Sequence, residues 1–128
     1  MANLFPSNFS GKKSEKIVFD AFSKLKDPDL TIYYSRNYLY RNFHDTFSDG
    51  EIADFLIIHP QKGIIFLESK NGIISYNKNE GQWHQNENPL KKDPIKQAME
   101  HKQKFLRKLR DETSIQINIP TIHAVLFP

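Results

Sequence analysis

Two apolar runs, residues 52–58 and 63–67, constrain this chain more than any other feature. They flank His59-Pro60-Gln61-Lys62, and proline and glycine at such a junction favour a reversal, so the spacing predicts a β-hairpin. Each run carries an acid at the end away from the reversal: Asp54 on the first, and Glu68 on the second with Lys70 two residues on. Side chains alternate along a strand, so Ile52, Asp54, Leu56 and Ile58 share a face, and Glu68 and Lys70 point the same way. Opposed residues on antiparallel strands face the same side. A three-residue loop of Pro60, Gln61 and Lys62 sets Asp54 opposite Glu68, whereas a loop of two or four turns one acid away unless a bulge intervenes.

A carboxylate among apolar neighbours is costly to bury without a partner, and a cation held between two of them accounts for both. Two hard carboxylates suit Mg²⁺, which keeps several waters and recruits phosphate oxygens. Such an ion lowers the pKa of a bound water and neutralises charge developing on phosphorus, and Lys70 could orient that water or stabilise the oxyanion. The same three residues are also compatible with a structural cluster in which the lysine neutralises the acids.

Around the hairpin, residues 14–25 read as a helix, with Ile17, Val18, Ala21, Phe22 and Leu25 as its apolar stripe and Asp27-Pro28-Asp29 as its stop. Residues 31–40 are aromatic and β-prone. Residues 73–76 and 82–84 form shorter strands around a turn-rich segment. A second helix spans residues 93–111, with Asp93 as N-cap, Pro94 at the first helical position, and Ile95, Ala98, Met99, Phe105, Leu106 and Leu109 as its stripe. Residues 121–127 read as a buried strand. The order predicts an α/β (α+β) fold, a mixed sheet with packed helices, in a single domain over residues 1–128.

Composition narrows the class. The 128 residues are 38% hydrophobic with 16 aromatics, enough to bury a core, and the lack of cysteine excludes disulfides, thiolate metal sites and a cysteine nucleophile. No apolar run approaches the ~20 residues needed to span a bilayer, and the start lacks a signal-peptide pattern, so a soluble cytoplasmic domain is expected. The net charge of +3 is uneven: residues 1–90 hold ten basic and eleven acidic side chains, residues 91–128 eight and four. That excess points toward a polyanionic partner, although a lysine-rich helix is also an ordinary solvated face.

The acid, the turn and the Glu-x-Lys that follows resemble the PD-(D/E)xK nuclease superfamily, and more closely its nuclease-related domain (NERD) family. The resemblance runs through Ser14-Glu15-Lys16-Ile17-Val18, Gly50-Glu51-x-x-Asp54-Phe55, Gly63-x-x-x-x-Glu68-x-Lys70-x-Gly72, the lone Trp83, Asp93-Pro94-x-x-Gln97-Ala98 and the terminal Leu126-Phe127-Pro128. Ala53 precedes Asp54 where the superfamily name has proline, and two residues separate Glu51 from Asp54 where one is expected. The resemblance implies a restriction-endonuclease-like core with a central mixed β-sheet flanked by helices, and Mg²⁺-dependent cleavage of DNA, with Mn²⁺ as a substitute ion. It implies Asp54 and Glu68 as metal ligands, the backbone carbonyl of Ser69 as a further ligand, Lys70 as the catalytic lysine, and Glu15 and Gln97 as accessory residues on the two helices. Family members carry the domain beside helicase or kinase modules, which implies a DNA-processing partner such as a helicase.

Other residues divide between roles. Glu15 borders the inward stripe of its helix, which suits a site role, and an ion pair with Lys12 or Lys16 is equally compatible. Gln97 shares a helical face with His101, Lys104 and Lys108, a possible DNA-facing stripe on which Lys104, Lys108 and the nearby Arg107 meet phosphate. The five histidines show no metal-ligand spacing and read as surface or turn residues. Trp83 reads as an anchor, and Tyr33, Tyr34, Tyr38, Tyr40 and Phe43 as strand aromatics. Two readings besides a nuclease stay open: a catalytically inactive module that binds DNA or a partner, and an oligomer whose interface is the basic helix.

Overall fold

The computed structural model describes residues 2–5, 13–34, 53–70, 72–113 and 118–127. The predicted continuation of the 31–40 strand, Tyr38, Tyr40, Phe43, His44 and Glu51 lie outside them. Their elements run β1 (Asn3–Phe5), α1 (Lys13–Ser23), β2 (Thr31–Tyr34), β3 (Phe55–His59), β4 (Gly63–Ser69), β5 (Ile74–Asn77), β6 (Gln82–Gln85), β7 (Asn88–Pro89), α2 (Pro94–Thr113) and β8 (Thr121–Leu126). Among the described residues, β1-β2-β3-β4-β8 form a mixed five-stranded sheet, and β5-β6-β7 form a separate three-stranded one. This is an α+β architecture consistent with a restriction-endonuclease-like core.

The hairpin takes the three-residue loop. His59 pairs with Gly63 and Phe55 with Leu67, leaving Pro60, Gln61 and Lys62 between the strands. Gly63 fixes that register. Its φ of +128° is open to glycine and strained for other residues, and a Cβ there would lie 2.3 Å from the carbonyl oxygen of Pro120, which leads into β8. The next amide, Ile64 N–H, donates to the same Pro120 oxygen at 2.9 Å.

Alternation along β3 and β4 builds a layer on each face. On one, Leu56, Ile64 and Phe66 are buried beneath Phe105 and Leu106 of α2, with Phe66 and Phe105 edge to face at 5.4 Å. On the other, Phe55 and Leu67 join Ile32 and Tyr34 of β2 under Val18 and Phe19 of α1. Phe55 is fully buried, its ring 5.2 Å from Tyr34 and 5.3 Å from Phe22.

Four expectations are corrected. The inward stripe of α1 is Glu15, Val18, Phe19 and Phe22, while Ile17 and Leu25 are exposed, because the helix turns the face bearing Glu15 toward Tyr34. On α2, Pro94 and Ala98 are fully buried but Ile95, on another side of that first turn, is half exposed. Strand β8 is not buried: it lies at the sheet edge, parallel to β4, with Ile122 and Leu126 open to solvent. The short polar strands, expected in the main sheet, form their own, tied back by Trp83 stacking on Phe127 at 6.0 Å, which supports Trp83 as an anchor.

Helix α2 begins as expected, with Asp93 Oδ1 accepting from the amides of Ile95 (2.8 Å) and Lys96 (3.3 Å). No helix among the described residues is long and apolar enough to cross a membrane. Replacing Gly63 by alanine forces the disfavoured φ and the Pro120 contact together, and is expected to lower the unfolding free energy by about 2 kcal/mol or more, read by urea denaturation. Asp93→Ala, which removes only the cap, is expected to cost about 1 kcal/mol in the same measurement.

Candidate active site

Continuing the β3–β4 register one residue past Phe55–Leu67 sets Asp54 opposite Glu68, on the α2 side of the sheet. Asp54 lies at the bend that opens β3, and its Oδ2 accepts the Ser69 amide at 2.9 Å. Glu68 is 3% exposed. Lys70 follows β4, half-buried, with its amide donating to the Leu126 carbonyl at 3.0 Å, so β8 holds the lysine's backbone in place. The structure thus brings together Asp54, Glu68 and the backbone of Ser69, with Lys70 close enough to act on the Asp54 charge.

Electrostatics mark the acid pair. Burial and the Glu68 carboxylate push Asp54 up from 3.8 to about 6, against the opposing pull of the Ser69 amide and Lys70. Two carboxylates this close cannot both ionise cheaply unless a proton or a cation lies between them. The donor set therefore fits a hard divalent ion: two oxygen ligands in a partly buried setting with an unmet need for positive charge. By strand alternation the Ser69 side chain points to the α1 side, where its hydroxyl is buried without a hydrogen-bond partner among the described residues. Its backbone alone faces the acids.

The expectation that the histidines are surface or turn residues fails at His101, while His59 borders the hairpin turn as expected but is buried. His101 is 6% exposed, and its Nδ1 hydrogen-bonds Glu68 Oε1, joining α2 to β4 across 33 residues of chain. It follows the fully buried Ala98 by three residues and precedes Phe105 by four, so it belongs to the inward stripe; that 3-then-4 spacing was the available signal. His59, 8% exposed, accepts the Gln61 amide on Nδ1 at 3.2 Å and turns Nε2 toward Asp27 at 3.6 Å. His84 and His123 are half-buried, and burial, with Lys102 nearby, holds His123 below its ordinary range.

His59, Asp27 and Asp29 place ligand atoms within 4.8 Å of one another, at the turn end of the hairpin, away from the acid pair. However, the His59 Nδ1 is taken up by the Gln61 amide and Asp27 Oδ1 accepts the Asp29 amide, so these side chains serve the two turns they belong to, with His59 Nε2 only near Asp27.

The accessory residues lie apart. Glu15 is 5% exposed and accepts a hydrogen bond from Tyr34 Oη, on the α1 side of the sheet. Lys16, the alternative partner, pairs instead with Asp20 at 2.7 Å. Gln97 lies one helical turn before His101 and lines a surface cavity of about 340 Å³ with Lys91, Lys92, Asp93, Lys96 and Glu100. Farther along α2, Lys104 and Arg107 are exposed and Lys108 half-buried, which leaves a cationic stripe on the helix that carries His101.

The family model for the nuclease-related domain matches residues 10–128. The chain belongs to the nuclease-related domain family. No curated protein and no solved structure matches it. Membership suggests a nuclease-related function, and the opposed acids followed by a lysine are the candidate site in this NERD chain.

Because Asp54 binds its proton more tightly in the folded state, the metal-free protein loses stability as pH rises from about 4 to about 6, and that contribution is flat above. Urea unfolding in chelator should show this slope in wild type, and Asp54→Asn should remove it. An equal slope in both proteins would mean that Asp54 is not the group responsible.

Proposed function

We propose that this chain is a Mg²⁺-dependent nuclease that hydrolyses phosphodiester bonds of DNA, with Asp54 and Glu68 holding the ion and the Ser69 carbonyl adding a ligand. The observation that carries this reading is the opposed carboxylate pair, with Asp54 raised to about 6 at the end of a hairpin whose register sets the acids face to face. Bound there, the ion would acidify a coordinated water and offset charge developing on phosphorus.

The chain's own residues supply the rest. The Ser69 amide holds one Asp54 oxygen, leaving the other for the ion. Lys70, anchored by β8 and near enough to pull on Asp54, orients the attacking water and meets the oxyanion as negative charge grows. Lys104, Arg107 and Lys108 hold backbone phosphates along α2, and the basic cavity around Gln97 extends that track. Gln97, one turn before His101, supports the site from α2, whereas Glu15 lies on the opposite face of the sheet and takes no part in it.

Plasmid, linear and single-stranded DNA incubated with Mg²⁺ or Mn²⁺ should be cleaved, and chelator should stop the reaction. Asp54→Ala and Lys70→Ala should each lower the rate by about 10²-fold or more without unfolding the protein. Salt-dependent DNA binding without cleavage, indifferent to metal and to Glu68→Gln, would instead identify a binding module. Replacing Lys104, Arg107 and Lys108 together by alanine should weaken DNA binding across sequences and flatten the slope of log K against log salt by up to about 3.

A further inference from the structure

We propose that His101 is a positioning residue for the metal ligand Glu68, holding one carboxylate oxygen from α2 so that the other faces the ion; this rests on the metal-dependent reading above. Three observations carry it. Glu68 and His101 are both more than nine-tenths buried, so neither is a surface group meeting a partner by chance. Their bond runs between Nδ1 and Oε1, and a Glu68 that binds metal does so as a carboxylate, which can only accept, so in that state the imidazole is the donor. Finally, each acid has one oxygen held by a protein N–H, Asp54 by the Ser69 amide and Glu68 by His101. The two carboxylates otherwise meet each other, and an ion between them would take an oxygen from each, with Asp54 Oδ2 and Glu68 Oε1 already held by protein N–H groups. Donors of this kind fix the orientation of metal-binding carboxylates, and their loss typically weakens metal affinity by about 10–100-fold.

The bond has a second effect. His101 lies on the shoulder of α2 between the buried Ala98–Phe105 face and the stripe of Gln97, Lys104 and Lys108. The helix that reads phosphate in the proposed function is thereby pinned to the strand that carries the ion.

The test uses Mn²⁺ alone as the probe, followed by calorimetry or by its electron paramagnetic resonance signal, on wild type, His101→Asn, His101→Leu and Glu68→Gln. Asparagine places an N–H near the position of imidazole Nδ1, and leucine fills similar space without a donor. His101→Leu should bind Mn²⁺ about 10–100-fold more weakly, with His101→Asn within about 3-fold of wild type. In cleavage assays the leucine variant should need correspondingly more Mg²⁺ for half-maximal rate while keeping its rate at saturation. Circular dichroism and thermal melts in chelator check that both variants fold. Equal weakening in the two variants means His101 serves only packing, and unchanged affinity in His101→Leu means Glu68 needs no positioning; either overturns the inference alone. Failure of wild type to bind Mn²⁺, or binding indifferent to Glu68→Gln, overturns the metal-dependent reading and this inference with it.

Discussion

Two negative side chains forced to face each other at the end of a hairpin are the constraint on which the rest of this structure depends. The pairing of β3 with β4 is set by apolar residues on both faces, so the register cannot slip without exposing Phe55 and Leu67 on one side and Leu56 and Phe66 on the other. Asp54 and Glu68 have no say in that register. The core imposes their proximity, and their repulsion is sustained by burial elsewhere. An arrangement in which packing energy holds like charges together is what a cation site requires, because the protein itself supplies the vacancy of positive charge.

The surrounding elements temper that repulsion without abolishing it. The Ser69 amide takes one oxygen of Asp54, His101 takes one of Glu68, and Lys70 adds positive charge nearby. Each comes from a different constraint: the end of β4, the inward face of α2, and the β4–β8 junction. This intermediate condition, with Asp54 raised to about 6, leaves affinity for a further positive charge.

Much of this was legible in the residues. Run lengths and the proline at 60 predicted the hairpin, and strand parity predicted that a three-residue loop would oppose Asp54 and Glu68. Asp93 and Pro94 announced α2 because capping chemistry is local. His101 was masked by its neighbours: Lys102, Lys104, Arg107 and Lys108 make the helix look solvated, so its spacing from Ala98 and Phe105 went unread, and its partner lies 33 residues away. The stripe of α1 was misread by about a quarter turn because Ile17 is more apolar than Glu15, and burial of Glu15 depends on the Tyr34 hydroxyl across the sheet. The separate β5-β6-β7 sheet was invisible because short polar strands carry no mark of which sheet they join.

The parallel pairing of β4 with β8 has a consequence for how such a site comes into being. Glu68 lies opposite Val125, and the chain between them contains the small sheet and all of α2. A parallel neighbour can dock only after that long excursion has closed, with its entropy cost met before the strand contacts reward it. The hairpin that opposes the acids is local and forms early by comparison, whereas His101 and the carbonyl that anchors Lys70 arrive with the crossover. The two carboxylates and the Ser69 amide therefore belong to one local unit, whereas His101 and the Leu126 carbonyl reach it only through the long crossover.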